Sequence, residues 1–301
     1  MKGLTDINGI KVGHATHREG ITGCTAILCE GGATPGFDIR GAATGTEEFE
    51  VMRPGHVTKV IHGICLAGGS AFGLEAASGV RAVLEKRGVG FKTSAGVVPL
   101  VAGAIIYDLA VGDARIRPTR EMGAAAAAAA SEDAVAEGSL GAGTGATVGK
   151  FYGMPCAMKG GVGSYTHELA GGVKVSALVV VNAYGDVLDP DSGKIIAGTR
   201  TAPGSREFAG TAKLLLERGP AGGFRRGENT TLAVVATNAA LDKVEASRVS
   251  SLAHQGFVRA IRPVHTSMDG DLVITLSHGS LKAPVDMLGL AAAEAVARSI
   301  V

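Results

Sequence analysis

Short runs dominated by apolar and β-branched residues alternate along the chain with longer stretches of helical pattern. The short runs predict strands over 24–29, 59–66, 104–110, 174–182, 231–237 and 271–277, each bounded by Gly, Asp or Asn. The longer stretches predict helices over 71–86, 119–137, 205–217, 242–261 and 284–300. The first helix opens after Gly68-Gly69-Ser70 and stops at Gly88, which fits capping chemistry at both ends. The last opens with Pro284, which suits the first helical position. Seven consecutive alanines fill 124–130; Ala is the best helix former, and its small side chain lets a helix lie close to a sheet. We read that stretch as a packed helix without a chemical role. With no internal repeat and no Pro/Ser-rich linker, the expectation is one domain, 1–301, with buried strands between helical layers.

Composition narrows the function classes. At 301 residues, with 46% hydrophobic and 19% charged, the chain can bury a sizeable core and is not disordered. A net charge of +1, no charged tail and no Trp argue against a nucleic-acid partner. The 46 glycines are roughly twice the usual share of about 7% and imply many tight turns and close backbone approaches. Cys24, Cys29, Cys65 and Cys156 form no C-x-x-C pair and read as free buried thiols in a reducing compartment. The N-terminal residues lack an apolar signal core, and the apolar runs at 176–181 and 232–235 are too short to span a bilayer. A soluble, cytoplasmic protein without a membrane partner is expected.

Two motif-like stretches fail on inspection. Residues 144–151 lack the glycine and the Ser/Thr that a phosphate-binding loop needs, since Thr144 and Phe151 stand there. Residues 141–146 fit a loose dinucleotide pattern, but no clear strand leads in and no helix follows. His14 and His17 have H-x-x-H spacing without a Cys/His cluster or carboxylate partner, so neither metal nor cofactor is expected.

The most informative stretch is Asn229-Thr230, where the polar loop 225–228 runs straight into an apolar strand. An Asn-Thr turn entering a strand is the ordinary reading. The chemical reading is cleavage before Thr230. A threonine hydroxyl is a poor nucleophile at neutral pH, but an N-terminal threonine carries its own base, an α-amine with a pKa of about 7.7–8.0. That amine exists only after the bond breaks, so the precursor would first have to turn the hydroxyl on the Asn229 carbonyl.

Wider motifs decide between them. Val12-Gly13-His14, Leu66-Ala67-Gly68-Gly69-Ser70-Ala71-Phe72-Gly73-Leu74, Gly143-Thr144-Gly145-Ala146-Thr147-Val148-Gly149-Lys150, Asn229-Thr230-Thr231, Val234-Val235-Ala236-Thr237-Asn238 and Asp269-Gly270-Asp271 follow one another in order. In this order the chain resembles the L-aminopeptidase/D-esterase (DmpA-like) family almost end to end, and within it the nylon-oligomer hydrolase (NylC-like) branch. The resemblance implies an α/β fold, a four-layer α-β-β-α sandwich with a central pair of sheets. It also implies autocleavage into an α-chain, 1–229, and a β-chain, 230–301, and a homo-oligomer, a tetramer of αβ units.

By the same resemblance Thr230 is the nucleophile and Asn229 the residue before the cut. Asp269 and Asp271 orient the Thr hydroxyl and amine, although Asp-Gly alone is also an ordinary turn. Asn182 and Tyr107 hold the oxyanion. Lys150 supplies a cation near it, or one that biases the Thr amine toward neutrality by like-charge repulsion, with Lys159 a competitor for that place. The implied reaction is hydrolysis of amide bonds in small peptides, amino-acid amides or 6-aminohexanoate oligomers, without a metal. The rival readings are an acyltransferase resembling ornithine acetyltransferase and an uncleaved binding protein on the same scaffold.

Overall fold

The computed structural model describes residues 1–219 and 229–301. The polar loop predicted at 225–228 lies outside the described residues. The main strands are β1 (Lys11–His17), β2 (Thr22–Ile39), β3 (Thr46–Glu47), β4 (Ile61–Ala67), β5 (Val101–Ile105), β6 (Gly161–Glu168), β7 (Lys174–Asn182), β8 (Thr230–Ala239) and β9 (Leu272–Leu281). The α-helices among the described residues are α1 (Glu75–Lys86), α2 (Arg120–Ala128), α3 (Thr211–Arg218), α4 (Lys243–Ala260) and α5 (Val285–Ile300).

The nine strands connect in the order β6-β7-β8-β9-β2-β4-β5-β3, with β1 also on β2. Strand β2 makes this path into two sheets. Its first half pairs with β1 and β4, its second half, from Thr34, with β9, and the register breaks between Leu28 and Ala33. Gly32, at φ +82°, supplies the left-handed residue in that break, where a side chain would be strained.

Period-two alternation then sorts the core. Leu178, Val180, Leu232, Val234, Leu272 and Ile274 of one sheet meet Ile27, Ile64, Leu66, Ala102 and Ala104 of the other. The opposite face of β7, β8 and β9 (Val179, Val235, Val273) packs on α4 and α5 through Val249, Phe257, Leu288 and Val296. The opposite face of β2, β4 and β5 packs on α1 and α2 through Ala76, Val80, Leu84, Ala126 and Ala127. The layers are therefore α1/α2, sheet, sheet, α4/α5, the sandwich the motifs implied.

Several predicted elements change length, each for a tertiary reason. The helix predicted to 137 ends at Ala128, because Ser131 exchanges backbone hydrogen bonds with Val12 (3.0 and 3.2 Å) and draws the chain onto β1. The strand predicted to 110 ends at Ile105, and Asp108 beyond it turns inward to Thr22 Oγ1 (2.7 Å) and the Gly69 N–H (2.6 Å). Helix α3 starts at Thr211, not 205, where the Asp186 carboxylate accepts the Thr211 N–H at 2.6 Å. Pro284 caps α5 from outside rather than occupying its first turn. Strands β1 and β6 were missed, being rich in polar residues and glycine. Among the described residues no helix is long and apolar enough to cross a membrane.

Ile64 is fully buried between the sheets, whereas Leu216 on α3 is 89% exposed. Thermal or denaturant unfolding should therefore show Ile64→Ala losing about 2–5 kcal/mol and Leu216→Ala losing less than about 0.5 kcal/mol.

Candidate active site

Strands β8 and β9 run parallel, with Leu232 beside Leu272. Parallel neighbours align their N-terminal ends, so the residues entering one strand lie beside those entering the other. Asn229 accordingly bridges Asp269, and the Gly270 N–H donates to the Asn229 carbonyl at 2.8 Å. On its other side β8 pairs antiparallel with β7, which sets Asn182 opposite Thr230. The predicted Asn-Thr, Asp-x-Asp and Asn182 positions thus converge at one strand end.

Thr230 opens β8 and donates its hydroxyl to the Asn229 carbonyl at 2.6 Å. That carbonyl oxygen therefore carries two donors, one of them the hydroxyl of the next residue. Gly270 has to be glycine here: a Cβ would stand 2.6 Å from Thr230 Oγ1 and 2.7 Å from the Ala43 carbonyl. In the sequence alone this glycine reads only as a turn residue. Asn229, Thr230, Asp269 and Asp271 are each at most 2% exposed.

Asn182 is locked by its neighbours. Its Oδ1 accepts Lys150 Nζ (2.9 Å) and the Thr147 N–H (3.0 Å), and its Nδ2 donates to the Tyr107 carbonyl (3.1 Å). An amide nitrogen has two hydrogens, so the bond to Tyr107 commits one of them. The Lys150 charge on Oδ1 polarises the amide and makes it a stronger donor. Tyr107 takes part here through its backbone carbonyl. Lys159 is spent elsewhere: its ammonium caps the Thr144 and Ala146 carbonyls at 2.7 and 2.8 Å, and burial lowers its pKa. Of the two candidate lysines, Lys150 is the one that touches Asn182.

The two carboxylates reach the strand ends rather than the hydroxyl. Asp271 Oδ1 accepts the Thr231 N–H at 2.7 Å, while Oδ2 accepts the His265 N–H at 2.9 Å and faces its Nδ1 at 3.1 Å. Asp269 Oδ2 accepts the N–H (2.9 Å) and the hydroxyl of Thr266. Among the described residues, neither carboxylate is hydrogen-bonded to Thr230 Oγ1. Burial, and then the charge of Asp271, push the Asp269 carboxyl up to about 6. An apolar wall adds to that desolvation: Phe151, Tyr184 and Met268, each within two residues of Lys150, Asn182 or Asp269, pack with Leu214 of α3. Burial, followed by the charges of Asp269 and Asp186, raises the Tyr184 phenol to about 12. His265 and Thr266 were missed in the sequence because their contact with the carboxylates runs through a turn, not a strand period. No group of three or more metal-ligating side chains occurs among the described residues.

The peptidase family S58 model matches residues 2–301. An uncharacterized aminopeptidase of Mycobacterium tuberculosis is 38% identical, the alignment covering 100% of this chain and 92% of that one. A 6-aminohexanoate-oligomer endohydrolase of Paenarthrobacter ureafaciens is 30% identical, covering 93% of this chain and 76% of that one. Among solved structures, the L-aminopeptidase D-Ala-esterase/amidase of Ochrobactrum anthropi superposes with a TM-score of 0.73 at 19% identity, covering 99% of this chain and 84% of that one. It is described as a variant of the Ntn-hydrolase fold.

A carboxyl raised from 3.8 to about 6 binds its proton more tightly in the folded state. Its contribution to stability is present below pH 3.8 and lost as pH rises through about 6. Replacing it with a neutral amide removes that loss. Between pH 4 and 7, chemical denaturation should show the stability of Asp269→Asn rising relative to wild type by roughly 2 kcal/mol. A difference independent of pH would contradict the raised carboxyl.

Proposed function

This chain belongs to peptidase family S58, as a hydrolase acting on amide or peptide bonds, and we propose that it matures by cutting itself between Asn229 and Thr230. The observation that carries this reading is the Thr230 hydroxyl, 2.6 Å from the carbonyl of the preceding residue, on which the Gly270 N–H also converges. The hydroxyl rests on the carbonyl oxygen. Rotation about the Thr230 Cα–Cβ bond carries Oγ1 toward the carbonyl carbon. Attack forms a C–O bond as the C–N bond breaks. The hydroxyl proton ends on the Thr230 nitrogen, leaving an ester between Asn229 and Thr230 Oγ1. Water then hydrolyses the ester, giving the Asn229 carboxylate and a free N-terminal threonine.

The Gly270 N–H is positioned to take up the negative charge that develops on the Asn229 oxygen, and donors of this kind are worth about 100- to 1,000-fold in rate. In turnover, Thr230 Oγ1 attacks a substrate amide with its own α-amine as base. Asn182, polarised by Lys150 and braced by Tyr107, holds the oxyanion; Asp269 and Asp271 set local charge and hold the strand ends. The amine leaves first, and water releases the acyl group. In the joined chain Asn229 and Thr230 are at most 2% exposed, so separation of the two ends is what admits substrate. The β-chain, 230–301, stays in place because β8 and β9 lie between β7 and β2 at the centre of the sheet. We assign small peptides, amino-acid amides and 6-aminohexanoate oligomers as the substrate class, acted on by a tetramer of αβ units.

Intact-mass measurement and denaturing electrophoresis test this directly. The wild type should give fragments of about 23 and about 7 kDa, in proportion to length from the 30.2 kDa chain, the smaller beginning at Thr230. Thr230→Ala should remain one chain and hydrolyse no amide. Wild-type protein that stays whole and inactive under all conditions would sink the proposal. Gly270→Ala, which crowds the nucleophile out of place, should slow maturation by on the order of 100-fold in a time course of the same assay.

A further inference from the structure

A chain of hydrogen-bonding groups leads away from the candidate active site. From Asp271 Oδ2 it passes to His265 Nδ1 (3.1 Å), from His265 Nε2 to His254 Nδ1 (3.2 Å), and from His254 Nε2 to the Asp38 carbonyl (3.1 Å). His265 holds a left-handed backbone, φ +58°, in which its N–H and its ring nitrogen both face Asp271 Oδ2. Such a conformation is uncommon outside glycine, Asn, Asp and His. His254, on α4, is fully buried.

Three contacts need three hydrogens, and the Asp38 carbonyl at one end can only accept. Two neutral imidazoles supply one N–H each. One further proton is therefore required, on a ring or on Asp271. Asp271 accepts a backbone N–H on each of its oxygens, at 2.7 and 2.9 Å, so both already serve as acceptors and the further proton is placed on the rings.

We propose that the His265–His254 pair carries one proton more than two neutral rings, and that this charge, held against Asp271, biases the proton of the carboxylate pair toward Asp269. The extra proton is placed on the ring that faces a carboxylate, His265. Burial above all holds His254 down at about 4, and its Nε2 meets a carbonyl, so His254 is the neutral ring. The charged groups facing the pair are Asp271, with Asp269 behind it, on the approach to β9, and Asp38 and Arg40 at the end of β2. Arg40 pairs with the Asp38 carboxylate at 3.0 Å, that carboxylate standing 3.6 Å from His254 Nε2, and Phe257 of α4 presents only its ring. His265 is thus a positioning residue that acts through Asp271. Its effect on rate rests on the proposed self-cleavage; its charge does not.

The experiment has two arms. Long-range proton–nitrogen spectra of the full-length Thr230→Ala chain, whose histidines are all native, read the ring states directly. The expected result is one ring with both nitrogens protonated at pH 7, assigned to His265 by its loss in His265→Gln. Two neutral rings at pH 7 would overturn the inference. In the second arm, the pH dependence of self-cleavage is compared between wild type and His265→Gln. Loss of the cation should move the Asp269 inflection upward by about one unit, a tenfold change in its ionisation constant. A slower reaction with an unmoved inflection would make His265 merely structural and overturn its positioning role. An imidazolium in a chain that never cleaves removes the self-cleavage reading and upholds the charge assignment. Cleavage in a chain with two neutral rings does the reverse.

Discussion

The parallel pairing of β8 with β9 is the constraint on which the site depends. Two strands that run in the same direction bring their entry points together, and these entries hold Asn229-Thr230 and Asp269-Gly270-Asp271. Antiparallel pairing would have sent those segments to opposite ends of the sheet. The hydrogen bond from Gly270 to the Asn229 carbonyl is one rung of this alignment continued past the formal strand ends. Structure and chemistry share that rung, because the backbone donor that extends the ladder also polarises the bond before Thr230.

Burial gives the electrostatics their force. Asp269 and Asp271 stand two residues apart in a desolvated strand end, and two such carboxylates do not ionise with equal ease. Their surroundings differ: Asp271 collects two backbone N–H groups and His265, while Asp269 is held by Thr266 under an apolar wall. Lys150, on the far side of Thr230, contributes its charge through the Asn182 amide. Opposite signs of charge are thus delivered from β7 and from β9 to the two flanks of a single residue on the strand between them.

The layers explain why the proposed cut at this buried site would leave the fold intact. Strands β8 and β9 are apolar on both faces, one against the second sheet and the other against α4 and α5. Their hold on the molecule comes from packing and from lateral hydrogen bonds, with little dependence on the link at 229–230. Asp108 plays a comparable role nearby, tying the Gly68-Gly69 turn to Thr22 through a buried carboxylate that burial pushes upward in pKa.

Local pattern was enough to mark the apolar strands at 174–182, 231–237 and 271–277 and helices α4 and α5, because their burial is written as uninterrupted β-branched runs or long periodic stretches. Motif order carried the family and the layers, and it named Asn182, Thr230, Asp269 and Asp271, which the fold brings to one strand end. It did not carry the polar strands β1 and β6, or the early end of α2, where pairing of Ser131 with Val12 overrides alanine's helix preference. Nor did it choose between Lys150 and Lys159; that rested on which ammonium meets a side-chain amide and which is absorbed by backbone carbonyls. Gly270 and the His265–His254 pair were invisible for the same reason. Sequence specifies which residue types are present and how far apart they lie along the chain, but hydrogen-bond partners depend on which distant backbone turns toward them, and that is settled only when the strands are in register.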